Sequence, residues 1–346
     1  TSPSRQPTRC ARPPPRTSGS SASRASAEST AGRTANGASA GAGQQADGSR
    51  VTIPANLETA TSPAWLSGVL GEAVTSVTVG DLDVRLSTNA PLYVETPSGS
   101  RALWVKGYFG ENSHLISAAG TAEAAFYRDL ARRILTAGFR TFQPVYADVD
   151  KDTGANLVVT DDETQHGARV LDGLASYSPD QTAESLSQLA LLHAETWRDH
   201  SLADLSWLDP KVARCAVRRG VTEIEGNFSG PNGTQVPNDV RDAERLFQTF
   251  TGMAPALAAF EPWCVIHGDP HIGNLFVDGS GRPGLFDWQL VQRGPWFLDV
   301  GYHVAASLDV RARRTHEHDL LRHYLDEMAR HGIPIRDDRD TAAKVA

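Results

Sequence analysis

The segment VIHGDPHIGNLFVDGSGRPGLFDWQ, residues 265–289, restricts what this chain can fold into more than any other stretch. It reads as a strand, a polar loop, and a hairpin whose second strand ends in an acid. Leu275–Val277 and Gly284–Phe286 pair across a turn at Gly279–Pro283. That register returns Asp287 to the neighbourhood of Asn274. Two carboxylates, Asp269 and Asp287, and one amide oxygen then surround a single cavity. Such oxygen donors suit Mg²⁺, a hard cation that takes a few protein oxygens and completes its shell with phosphates. Asn274 and Asp287 are the candidate metal ligands. Asp269 is the candidate to accept or orient the proton of an attacking hydroxyl. Asn274 and His267 join it as catalytic candidates, His267 shaping the loop together with Gly268. Positioning and charge neutralisation are most of what phosphoryl transfer asks of a protein.

Upstream, alternation and turn residues predict strands at Val74–Val79, Val84–Leu86, Leu92–Thr96 and Arg101–Tyr108. A short helix at Ala64–Gly71 precedes them, and turns are expected at Gly80-Asp81 and Asn89–Pro91. Thr121–Ala137 has helical periodicity, closed by Gly138. Its apolar stripe runs through Phe126, Tyr127, Leu130 and Ile134, and Glu123 falls on the same stripe. A carboxylate on an inward face is costly unless it is paired.

Leu157–Thr160 reads as a further strand. Ser178-Pro179-Asp180-Gln181 is a capping box with proline at the first helical position. The helix it opens carries Leu186, Leu189, Ala190, His193 and Trp197 on one face, where His193 is expected to be a satisfied core histidine. Residues 209–238, rich in Gly, Pro and Asn, predict a long loop. A helix is expected at Asp239–Phe260, kinked or ended by Pro255. A strand follows at Trp263–Ile266. A last helix, Thr315–His331, is stopped by Gly332 and Pro334.

Residues 1–50 contain no Val, Ile, Leu, Met, Phe, Tyr or Trp. They cannot bury enough apolar surface to offset the entropy of ordering, so a disordered leader is expected there. They carry seven arginines against Glu28 and Asp47; the remainder carries 26 basic and 39 acidic residues, a balance of −13. So acidic a body is a poor match for a phosphate backbone, which argues against nucleic acid as partner. It leans slightly toward a cationic small molecule, although net charge alone specifies no ligand. No apolar run approaches the roughly 20 residues of a membrane helix. The three cysteines form no CxxC pair, which fits a reducing, cytoplasmic compartment.

HGDPHIGN has the Asp-to-Asn spacing of a kinase catalytic loop, and FDWQ stands where DFG would stand. The glycine after His, and DWQ for DFG, resemble the aminoglycoside phosphotransferase and choline kinase superfamily. The run HGDPHIGNLFVD…LFDWQL…GPWFLDVGYHV is most similar to its ecdysteroid-kinase-like branch and bacterial relatives. The resemblance implies an α+β, two-lobed protein-kinase-like fold. Its N-lobe, 51–165 with the hinge, would hold a small antiparallel sheet and one long helix. Its C-lobe, 166–346, would be mostly helical. Relatives usually continue with further helices, so this lobe is expected to be truncated.

The resemblance also implies an ATP- and Mg-dependent small-molecule kinase acting on a hydroxyl group. Asp269 becomes the catalytic base, Asn274 and Asp287 the metal ligands, and Lys106 in WVKGY the phosphate-binding lysine. Glu123, in EAAFYRDL, becomes the helix partner of Lys106, which would answer the puzzle of an inward glutamate. Asp299 in FLDVGY would brace the catalytic loop, and Val158–Asp162 would receive adenine through backbone groups. The first hairpin lacks a glycine-rich loop, so phosphate covering falls to other amides or to Ser87 and Thr88.

Two other readings compete. A catalytically weak binding module on the same fold would follow from the missing glycine loop. A metal-dependent hydrolase would follow if His267, Asp269 and His271 shared a face. Trp288 and Trp296 are candidates either for stacking on a substrate or for burial near the hairpin. The acceptor pocket is expected from 166–240 and 300–346, and the oligomeric state is not legible.

Overall fold

The structure, a computed structural model, describes residues 51–84, 87–109, 113–231 and 233–336, with 113–119 and 213–219 described by backbone alone. The expected leader, Leu86 and the chain end beyond 336 lie outside the described residues.

Two short helices open the fold. α1 (Leu57–Ala60) is capped by Asn56. α2 (Pro63–Leu70) starts with Ser62 accepting from the Trp65 N–H and stops at left-handed Gly71. The strands β1 (Ser76–Val79), β2 (Asp83–Val84), β3 (Thr88–Thr96) and β4 (Gly99–Gly107) follow. The turn expected at Asn89–Pro91 is absent; those residues lie inside β3, paired with Trp104–Lys106 of β4. Pro91 is tolerated because its carbonyl accepts from Gly80 at the end of β1, where β3 needs no further donor.

α3 (Ser113–Asp129) and α4 (Ala131–Thr136) replace the single helix expected over Thr121–Ala137; the chain breaks at Leu130, and Gly138 ends the pair at φ +99°. β5 (Pro144–Val149) and β6 (Asn156–Asp161) complete a six-stranded antiparallel sheet of order β1-β3-β4-β6-β5, with β2 also on β3. β5 escaped the sequence reading because PVYADV opens on proline and carries an aspartate. Leu92, Val94, Leu103, Val105 and Leu157 fill one core with Trp65 and Leu66 of α2. Strand alternation then turns Lys106 to the opposite side of β4 from Leu103 and Val105.

β7 (Arg169–Val170) leads to α5 (Pro179–Glu195), which carries the complete capping box at Ser178 and Gln181. The long loop expected at 209–238 is instead largely helix. α6 (Val212–Ser229) runs through it as two helical pieces that meet at a kink at Gly220, whose φ of 67° and ψ of 171° are not helical. Counting Gly220 and Gly226 as loop residues hid it. α7 (Ala243–Ala258) begins at Asp242, and Pro255 sits inside its last turn rather than ending it.

β8 (Cys264–Ile266), β9 (Leu275–Val277), β10 (Pro283–Leu285) and β11 (Gln292–Gly294) carry the catalytic-loop region. β9 pairs with β10 in the expected hairpin and also with β7, while β11 pairs with β8. α8 (Phe297–Ser307) and α9 (Val310–Arg330) close the described chain, α9 starting earlier than expected because Asp309 caps it. A second core joins α3, α4, α5, α8 and α9 around Phe126, Leu186, Leu189, Trp288 and Tyr324.

Candidate active site

The site begins with Lys106 on β4. Its Nζ lies 2.7 Å from Glu123 Oε2 on α3 and 2.9 Å from Asp287 Oδ1 beyond β10. Both carboxylates converge on one ammonium. Burial lowers the pKa of Lys106, but the two charges outweigh it and hold the group above the ordinary lysine value. Burial pushes Glu123 up, against the pull of Lys106. The inward glutamate therefore has its partner, and removing either member of such a pair costs about 3–5 kcal/mol.

Aromatic packing holds the three residues together. Trp288 stacks on Phe126, one turn along α3 from Glu123, with ring centroids 3.7 Å apart at 16°. Its indole Nε1 donates to Thr141 Oγ1 at 3.0 Å. Trp288 is fully buried and Trp296 stacks on Tyr324, so both tryptophans are core residues rather than substrate platforms. Asp287 occupies the left-handed region at φ 65°, ψ 68°. Aspartate tolerates that region better than most residues, and strain of this kind concentrates at functional sites.

The loop from His267 to Asn274 is fixed from beneath. Asp299 on α8 accepts from the His267 N–H at 2.7 Å and the Gly268 N–H at 2.9 Å. Burial opposes ionisation of Asp299, yet bonds from His193 and the loop amides hold its pKa below the usual carboxylate range. His193 reaches Asp299 at 3.3 Å and Tyr324 Oη at 2.8 Å, as a satisfied core histidine. His303 braces the far end, with Nδ1 donating to Pro270 O at 2.7 Å and Nε2 taking Ser185 Oγ at 2.6 Å. Burial pushes its pKa down to about 4, so it is neutral at pH 7.

Gly268 must be glycine. Its φ is +83°, and an added Cβ would lie 2.3 Å from Leu290 O. His267 is fully buried, and burial lowers its pKa. Its Nε2 donates to Phe286 O at 2.9 Å, and its Nδ1 accepts from Asp269 N at 3.3 Å. The expected catalytic part for His267 is thus corrected to a positioning one, because both nitrogens are committed away from solvent. The His-x-Asp-x-His face of a hydrolase is lost for the same reason. Among the described residues, no group of three or more His, Cys, Asp or Glu is arranged to hold a metal.

Asn274 is buried, and its Nδ2 donates to Asp269 O at 2.9 Å and to Asp269 Oδ2 at 3.3 Å. Its carbonyl accepts from the Phe286 N–H at 3.0 Å, which draws the strand before Asp287 alongside. Asp269, Asn274, Asp287, Lys106 and Glu123 are therefore brought together. Within Val158–Asp162, expected to receive adenine, Val158–Thr160 is paired on both edges, by β4 and by β5. Ser87 is buried, and its Oγ accepts from Asn89 Nδ2 at 3.1 Å.

A family model described as the phosphotransferase enzyme family matches residues 118–333. The chain belongs to this family. With the family comes the enzyme class, a small-molecule kinase. The match is to the phosphotransferase family as a whole; the branch expected from the sequence is finer than it reaches. An ethanolamine kinase of Plasmodium vivax is 11% identical and has a TM-score of 0.50, over 79% of this chain and 71% of that one. It shares the two-lobed fold. Choline kinase LicA of Streptococcus pneumoniae is 15% identical, with a TM-score of 0.46 over 82% and 83% of the two chains. Macrolide 2′-phosphotransferase MphH of Brachybacterium faecium is 14% identical, with a TM-score of 0.43 over 84% and 87%. A search of the curated proteins finds no match.

The sequence reading missed His303 and His193 as braces of the loop. His303 stands four residues after Asp299 in FLDVGYHV, the spacing that puts two residues on one helix face.

Proposed function

We propose that this phosphotransferase moves the γ-phosphoryl group of ATP to a hydroxyl of a small molecule, with Asp269 as base and Mg²⁺ held by Asn274 and Asp287. The convergence of Lys106, Glu123 and Asp287 beside the Asp269–Asn274 pair carries this reading.

The donor set fits the metal: a carboxylate and a side-chain amide, both hard oxygen donors, beside a lysine suited to phosphate. Magnesium bound there would neutralise charge on the phosphates and hold them in line. Lys106, kept cationic and aimed by Glu123, contacts phosphate oxygens. Asn274 holds the Asp269 carboxylate in place through Nδ2. Asp269 takes the proton of the acceptor hydroxyl as its oxygen closes on phosphorus. His267, His303 and Asp299 position the loop without touching reactants. No helix among the described residues is long and apolar enough to cross a membrane. A cytoplasmic setting suits free Cys264.

The test is transfer of label from γ-labelled Mg-ATP to a panel of hydroxylated small molecules. Asp269→Asn should lower kcat by about 10²–10⁴-fold, the usual contribution of a general base. Undiminished transfer by Asp269→Asn would count against the mechanism.

A further inference from the structure

Asp269 opens onto a cavity of about 590 Å³ between α6, α7 and α8. Its described walls are Ile224 and Phe228 from α6, and Phe247, Phe250, Met253 and Leu257 from α7. The α7 residues recur at helical spacing, so they form one stripe along the helix. A stripe of this kind ordinarily faces a core. Here only its end at Leu257 packs on the core, and the rest stands open: Leu246 is 47% exposed, Phe250 39% and Met253 46%, and Tyr302 across the cavity is 42% exposed. Apolar side chains left open around one end of a catalytic cavity mark a binding surface.

Among the described lining residues the polar groups are few and mostly committed. Asp299 is taken up by the loop amides, and Gln292 accepts from the Lys211 N–H and donates to Leu290 O. Among the described lining residues, Asp269 is then the one carboxylate not taken up by the loop amides, and Asn227 and the Tyr302 hydroxyl are the remaining polar side-chain groups. A polycationic acceptor would need several carboxylates to replace its lost hydration. A small quaternary amine would leave most of the volume empty, because a cavity of this size suits a ligand of about 20–30 non-hydrogen atoms.

We infer that the acceptor is a neutral, bulky and largely apolar alcohol, whose body lies on the α7 stripe and whose hydroxyl reaches Asp269. This rests on the phosphotransferase reading of the site and narrows its substrate class. It also sets aside the lean toward a cation drawn from the acidic body, since the charge lies elsewhere than on the described walls. In the reaction the hydroxyl oxygen bonds to the γ-phosphorus and the bond to the β,γ-bridging oxygen breaks. ADP leaves, and the hydroxyl proton passes to Asp269.

Two readouts test the inference on the full chain: melting temperature with each probe, and label transfer from γ-labelled Mg-ATP. The probes are a fused-ring monoalcohol, 1-dodecanol, a polyamino sugar and choline. The fused-ring alcohol should raise the melting temperature and take up label. Phe250→Ala should raise its KM about tenfold, as expected when an apolar group is removed from a pocket wall, while kcat changes far less. Phe250→Asp should abolish the melting shift, with circular dichroism confirming the fold. Met253→Asp should do the same, which guards against misfolding of one variant.

The inference is overturned if the amino sugar or choline is phosphorylated with a kcat/KM at or above that of both alcohols. It is equally overturned if neither alcohol shifts the melting temperature, or if the shift survives both aspartate variants. In these cases label transfer to a cation would leave the kinase reading standing. Conversely, alcohol binding that both aspartate variants abolish, without any label transfer, would support the pocket and refute the kinase reading.

Discussion

The loop at 267–274 and the α7 stripe both border Asp269, yet they use their side chains in opposite ways. His267 and Asn274 in the loop, and Asp299 and His303 beneath it on α8, are buried, and each is bonded to backbone or to a neighbour. On α7, Leu246, Phe250 and Met253 stand partly exposed. Chemistry needs a fixed geometry, which satisfied buried polar networks provide, because any displaced member leaves an unpaired group. Recognition of an apolar body needs area, which exposed side chains provide without a fixed bonding pattern.

This contrast is open to measurement by stability. Asp299→Ala should have the largest effect. It leaves the His267 and Gly268 amides and His193 without their acceptor, and should cost about 3–5 kcal/mol in urea unfolding. A cost under about 1 kcal/mol would break the picture of a network-bound loop.

His303 gives the next effect, through pH. Its folded pKa is about 4, against an ordinary value of 6.5. Between those values the unfolded chain binds a proton that the folded one does not, so stability rises with pH. The contribution is complete above pH 6.5 and lost as pH falls toward 4, amounting to about 3 kcal/mol. His303→Asn should flatten that part of the curve relative to the parent protein. Parallel curves would contradict it.

Gly268→Ala comes third. The methyl would meet Leu290 O at 2.3 Å on a backbone at φ +83°. The expected loss is about 2 kcal/mol, read as a lower urea midpoint. Met253→Ala on the stripe should be smallest, within about 0.5 kcal/mol, as for an exposed position. A large loss there would mean that the stripe belongs to the core after all.

The same contrast separates what the sequence revealed from what it concealed. The half proposed to be catalytic was legible because its residues are close in the chain and carry fixed spacings. Asp269, Asn274 and Asp287 sit on a hairpin whose register follows from two short apolar runs. The inward Glu123 showed that a partner was needed, and the resemblance supplied Lys106 as that partner. The acceptor half was hidden. Gly220 and Gly226 made α6 look like a loop, and periodicity cannot tell whether the α7 stripe faces a core or a cavity. β5 and β11 were missed because pairing with distant strands, rather than local propensity, makes them strands. His267 was read as catalytic because a motif gives residue order, whereas only the fold shows that its ring points inward. The two-lobed division itself followed from the resemblance, and the six-stranded sheet and helical portion agree with it.

The central claim is that Asp287 and Asp269 serve one site in different parts, the first holding metal and nucleotide, the second moving the proton. The melting temperature with Mg²⁺ and a non-hydrolysable ATP analogue separates them. The account predicts that Asp269→Asn keeps the magnesium-dependent rise of the parent protein, while Asp287→Asn loses it. An equal rise in Asp287→Asn, or the same rise without magnesium, would contradict it.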